Sequence, residues 1–174
     1  MSDIFEKVVG EQDWFTKIIA KIPGFKGYIE RGERRMSDKL LREKVSDEFE
    51  IQYQRISSIQ RDLISQGGLI YIDDLEASAI KLRQFIDRVR TASYGYAGLF
   101  DAIKIKEEDL AQVYQYDAEL LALSEGVSRA VDNVEVSIGS DGLPAAIKNL
   151  TTTAQNSLDM FNKRSEVMKG VAAN

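Results

Sequence analysis

Glu30 and Glu33 stand three residues apart, the spacing at which two carboxylates on one helix face can share a divalent cation. A Mg²⁺ site for nucleotide chemistry needs a matching pair on a facing helix. The acid-rich stretch that begins at Glu107 does not provide it, because Leu110, Ala111 and Ala122 lie three residues beyond Glu107, Glu108 and Glu119. Asp73, Asp74, Asp87 and Asp101 are scattered. The chain has no histidine, the commonest general base and transition-metal ligand, and no cysteine. Ser-His-Asp hydrolysis, zinc hydrolysis and Glu-x-x-His di-iron chemistry therefore lack their residues. The expectation is a protein that is not an enzyme, with no catalytic residue, no metal and no cofactor. The alternative is a small Mg²⁺-dependent nucleotide-binding or hydrolysing all-α enzyme.

Two stretches suit contact rather than catalysis. In "SYGYAGLFDAIKI" (Ser93–Ile105), glycines break a helix while Tyr94, Tyr96, Leu99 and Phe100 are too apolar for an idle loop. These aromatics either plug the fold at a corner or form a contact surface with Asp101 as polar anchor. The glycine spacing is not that of a phosphate-binding loop, and no Lys follows in the required place. In "DWFTKIIAKIPGFKGY", Trp14, Phe15, Ile18, Ile19, Ile22 and Phe25 fall on one face, with Lys17, Lys21 and Lys26 nearby. That composition suits either an arm folded over apolar surface or a helix lying in a membrane interface. A covered Trp14 face marks a packing element and an exposed one a contact site. Arg31, Arg34, Arg35 and Arg42 follow as a basic face that could add attraction to anionic lipid, although Glu30, Glu33, Asp38 and Glu43 are interspersed.

The elements that must carry these residues read as helices. Asp3 with Glu6 forms a capping box for a first short helix ended by Gly10, and Asp13 opens a second. Pro23 and the glycines of "PGFKGY" break the run. From Tyr28 to Gln66 one uninterrupted pattern runs, mostly in steps of three or four, through Ile29, Met36, Leu40, Leu41, Val45, Phe49, Tyr53, Ile56, Ile59 and Leu63, and "SQGG" stops it. A second pattern starts with Asp73 or Asp74 as cap, a third follows Ile105, and a fourth follows a Ser140 or Asp141 cap with Pro144 in its first turn and stops before Gly170. The one strand-like stretch is "LIYI" at Leu69–Ile72. Short turns between long amphipathic segments predict an all-α, elongated antiparallel bundle of three to four long helices, of coiled-coil character, with a short amphipathic N-terminal arm. The division is 1–27 for the arm and 28–171 for the bundle.

Charge narrows the partners. The net charge is −5, which disfavours nucleic acid, and it is uneven: cations gather between Lys21 and Lys44, acids between Glu107 and Glu135. No apolar run reaches the roughly 20 residues of a membrane span, and the acidic, amphipathic start is unlike a secretory signal. Without cysteine the chain suits a reducing cytoplasm.

At "IPGFKGYIERGERRMSDKLLRE" (Ile22–Glu43) and "DRVRTASYGYAGLFDAIKI" (Asp87–Ile105) the chain resembles a bacterial helical-bundle family of uncharacterised function, marked by PGFKGY and YGYAGLFD motifs. The resemblance implies a fold and no activity. More loosely, an amphipathic N-terminal helix ahead of a helical hairpin is similar to the plan of phage-shock membrane-repair scaffolds. The residues and the resemblance together give the expected function. It is a bacterial interaction or scaffold protein, cytoplasmic and peripheral to the inner membrane, linked to membrane maintenance. Its partners would be a protein, another copy of itself, or an anionic membrane surface. A purely structural homo-oligomer is the further alternative.

Overall fold

The computed structural model describes residues 13–92 and 107–173. Six α-helices carry them: α1 (Asp13–Lys21), α2 (Phe25–Glu30), α3 (Arg34–Ser65), α4 (Ile72–Thr91), α5 (Glu107–Ser137) and α6 (Leu143–Ala173). No strand occurs among the described residues. The all-α bundle expected from periodicity is therefore the architecture, built on four long helices of 32, 20, 31 and 31 residues. At about 1.5 Å per residue, α3 is about 48 Å long.

Helices α3 and α4 form one antiparallel hairpin, α5 and α6 another. Each helix of one hairpin packs on one helix of the other, α3 on α5 and α4 on α6. Those cross-hairpin neighbours run parallel. Ser78 meets Thr151 while Arg88 meets Asn162, and Arg55 reaches Asp132 while Asp38 and Asp117 share Arg164. Strict antiparallel packing of every neighbour, the simplest expectation from short turns, thus holds within hairpins and not between them. The core follows the apolar stripes. Leu41, Val45, Phe49, Ile56, Ile59 and Leu63 of α3 are buried against Leu75, Leu82, Phe85, Ile86 and Val89 of α4 and the inward faces of α5 and α6. Phe49, Phe85 and Phe161 interlock across three helices, with ring centroids 4.1 and 6.1 Å apart.

Several sequence expectations need correcting. The helix expected to run unbroken from Tyr28 to Gln66 is two helices. Gly32 adopts φ 70, the left-handed conformation that costs a residue with a Cβ, and the Glu33 amide returns to the Tyr28 carbonyl at 2.8 Å. Apolar phase carried across this break, so periodicity alone concealed it. "LIYI" is not a strand: Leu69–Tyr71 forms a 3₁₀ turn that leads straight into α4. Gly67 at φ 80 and the Gly68 amide bonded back to Leu63 aim this stretch across the end of the hairpin. Helix α4 accordingly opens at Ile72, and Asp73 and Asp74 occupy its first turn rather than its cap. Helix α6 opens at Leu143, so neither Ser140 nor Asp141 occupies its cap; the Ser140 Oγ instead accepts the Gly142 amide at 3.3 Å in the turn ahead of the helix. Helix α6 runs on through Gly170 to Ala173. The first expected helix, with Asp3, Glu6 and Gly10, lies outside the described residues.

Candidate functional site

Helix α1 is short, and tertiary packing rather than propensity must hold it. It lies on α5 with Phe15 and Ile18 buried, and Ile22 and Phe25 continue the same buried face into α2. Trp14 and Ile19 are partly buried against this cluster. Phe15 meets Phe25 edge-on at 6.4 Å, and Phe25 meets Tyr114 of α5 at 5.7 Å. The six apolar residues singled out as a membrane- or partner-binding face are therefore brought together: four are buried in the protein, while Trp14 and Ile19 lie at the edge of the cluster and keep part of their surface. This is the covered arrangement, the one that marks a packing element. They share one core with the bundle, and the division at 27/28 falls inside α2. On the outer side, Lys21 donates to Glu125 of α5 at 2.5 Å. Its ammonium, by that hydrogen bond first, holds the Glu125 carboxyl below its ordinary range.

The basic face does not form as a unit. Arg31 is exposed, lies 4.7 Å over the Tyr28 ring and donates to Glu33 at 2.6 Å. The side chains of Arg34 and Arg35 lie outside those described. Arg42 is a correction: it is buried, donating to Asp38 at 2.7 Å and to the Val89 carbonyl of α4 at 3.4 Å. Position 42 falls beside Leu41 and Val45 on the inward side of α3, so its charge never reaches solvent as part of a basic stripe. Glu30 lies 3.5 Å from Lys26, and Glu33 is held by Arg31, so each carboxylate of the spaced pair is balanced by a neighbouring cation. Among the described residues no group of three or more Asp or Glu is placed to hold a metal ion.

Arg42 belongs to a buried cluster that spans the bundle. Arg164 of α6 donates to Asp117 of α5 at 2.5 and 3.2 Å and to Asp38 of α3 at 2.7 Å. With Arg42 on Asp38 and on the α4 backbone, all four long helices are tied at one level. Asp117 and Arg164 are each 1% exposed. Burial opposes both charges. For Arg164, the two carboxylates outweigh it and raise the pKa; for Asp117, burial wins over the pull of Arg164 and pushes the carboxyl up to about 6. The partners thus read one pair with opposite sign. The difference is physical: Arg164 is shared between two carboxylates, whereas Asp117 has Asp38 as a like-charged neighbour. A carboxyl raised toward neutral pH has the protonation range of a general acid or base. This one, however, is closed off from solvent by the described residues around it. One guanidinium nitrogen, Arg164 Nη1, is buried without a hydrogen-bond partner.

The sequence carried a signal for this cluster that spacing rules for active sites miss. Asp38 precedes Leu41, Val45 and Phe49 on the core stripe of α3. Asp117 sits between Tyr114 and Leu121, and Arg164 follows Phe161 by three. A charge in phase with an apolar stripe is either an interruption or a buried ion pair. Here three such interruptions converge.

The remaining feature is the end of the α3–α4 hairpin. Leu69 and Ile70, in the 3₁₀ turn, are 64% and 79% exposed, and Ile64 on the last turn of α3 is half exposed. A shallow groove of about 670 Å³ runs along α3 to Ile64 and Ile72. Tyr94, Tyr96, Leu99, Phe100 and Asp101 lie outside the described residues. Compared with family models, curated proteins and solved structures, the chain finds no match. No described helix is long and apolar enough to cross a membrane.

Proposed function

We propose that this chain is a non-catalytic interaction or scaffold protein, peripheral to the bacterial inner membrane and working in membrane maintenance. The observation that carries the reading is the two-sided character of α1, whose apolar side is packed on α5 in this structure and would have to be released to meet lipid. Trp14, Phe15, Ile18 and Ile19 occupy one side and Lys17 and Lys21 the other, which are the two ingredients of an interfacial helix. The following cations, Lys26 and Arg31, are exposed beside it. Co-sedimentation with phosphatidylglycerol vesicles tests this on the intact chain and on a version lacking residues 1–27. The intact chain should pellet and the shortened one should not, while equal pelleting removes the arm from the function.

A second reading, self-association of a structural bundle, is favoured by Ile64, Leu69 and Ile70, which stand exposed within seven residues of chain at one bundle end. Light scattering separates the two readings. Replacing Leu69 and Ile70 with Ser should reduce the measured mass if that end joins copies, and should leave vesicle binding through the arm unchanged.

A further inference from the structure

The arm can present its apolar side to only one surface at a time, and in this structure α5 has it. We infer that α1 and α2 form a self-closing cover, and that binding an anionic membrane surface requires this cover to swing off α5. The inference rests on the membrane reading of the arm and adds its regulation.

Three observations carry it. The side chains that would enter a lipid interface, Phe15, Ile18, Ile22 and Phe25, are the ones the bundle buries. Docked lipid binding by that face is therefore sterically impossible, and the closed and bound states exclude each other. Second, two left-handed glycines articulate the cover: Gly24 at φ 83 joins α1 to α2, and Gly32 at φ 70 joins α2 to α3. A Cβ built at either would meet nothing within 4 Å. Glycine is thus required there by backbone conformation and not by close packing, as at a hinge that separates short rigid pieces. Third, the ion pair that closes the outer side, Lys21 with Glu125, sits on the surface, with side chains 30% and 55% exposed. Such a pair is worth little in water and is screened by salt. Glu125 lies on the acidic helix α5, so Lys21 has a carboxylate when closed and would have lipid phosphate when open. An anionic surface competes for both faces of the arm at once: its acyl region for the aromatics, its headgroups for Lys17, Lys21 and Lys26.

The chain has no native cysteine and a single tryptophan, Trp14, on the moving piece. A Lys21→Cys, Glu125→Cys variant can be bridged by a short bis-methanethiosulfonate linker, which dithiothreitol removes. The same protein is then compared closed and released, on vesicles of phosphatidylglycerol with phosphatidylcholine and on phosphatidylcholine alone. The released form should pellet with anionic vesicles at least about tenfold better than the bridged form, with a blue shift of Trp14 emission on binding. Equal binding by bridged and released protein overturns the cover while leaving membrane association standing. So does pelleting without a change at Trp14. Failure of the released and the unsubstituted chain to bind anionic vesicles removes the membrane reading itself, and a protein partner then becomes the arm's occupant.

Discussion

At the scale of single residues, the molecule places its costliest groups where solvent cannot reach them. Arg164, Asp117, Asp38 and Arg42 balance as two positive and two negative charges, and removing any one leaves a net charge in the core. Arg164→Met or Asp117→Leu alone should each destabilise the fold by about 3–5 kcal/mol. The double variant keeps the Asp38–Arg42 pair and restores neutrality, so it should lose much less than the sum; a urea double-mutant cycle measures the coupling. The raised pKa of Asp117 gives a second prediction, whose sign follows from proton linkage. The folded protein holds this proton more tightly than the unfolded chain, whose carboxyl titrates near 3.8. The contribution of Asp117 to stability is therefore full below about pH 4 and is lost as pH rises through about 6. Relative to an Asp117→Asn variant, the unsubstituted protein should become less stable across that window. If the difference instead grows with pH, Arg164 rather than burial governs the carboxyl.

At the scale of elements, the break between α2 and α3 gives a test with opposite signs for two structures. Were residues 28–66 one helix, Gly32→Ala would stabilise it by up to about 1 kcal/mol, as alanine does in a helix interior. With Gly32 at φ 70, the same change should destabilise by about 1 kcal/mol, although the site has room for the methyl group. Thermal melts of the pair decide it. This break also marks how far the sequence could be followed. The four long helices, their stops at Gly67 and Gly139–Gly142 and the inward stripe of α1 were legible, because each depends on local chemistry and period. The break at Gly32 was not, since apolar phase survives a change of direction when both pieces bury one face. Nor was the fate of Arg42: counting cations placed it with Arg31, whereas the rotation of α3 places it beside Val89. The direction of the amphipathic face was legible, but what it faces was not, because a stripe of Phe and Ile suits a protein core and a lipid interface alike.

At the scale of the whole molecule, the arm adds its own buried side chains to the core of the bundle. Four nearly fully buried side chains, Phe15, Ile18, Ile22 and Phe25, each represent roughly 1.5–3 kcal/mol of burial, before the entropy of ordering the arm is subtracted. A chain lacking residues 1–27 should retain its helical circular dichroism, melt at lower temperature and bind the dye ANS, since the α5 surface around Tyr114 loses its cover. An unchanged melting temperature would mean that the arm adds no net stability. The opposite end behaves differently: Ile70→Ser should change stability by no more than about 0.5 kcal/mol, because the residue is already in water.

Apolar stripes forgive sliding, since a leucine that moves by one turn meets another leucine. The ionic knot between Asp38, Asp117 and Arg164 does not. Shifting α6 by a single turn, about 5.4 Å, would carry Arg164 away and leave the Asp38 and Asp117 carboxylates with Arg42 alone. The knot thus works as an index pin that sets the longitudinal alignment of the two hairpins. Swapping its charges for hydrocarbon should yield a sturdy bundle with more than one alignment, visible as duplicated methyl resonances in NMR spectra.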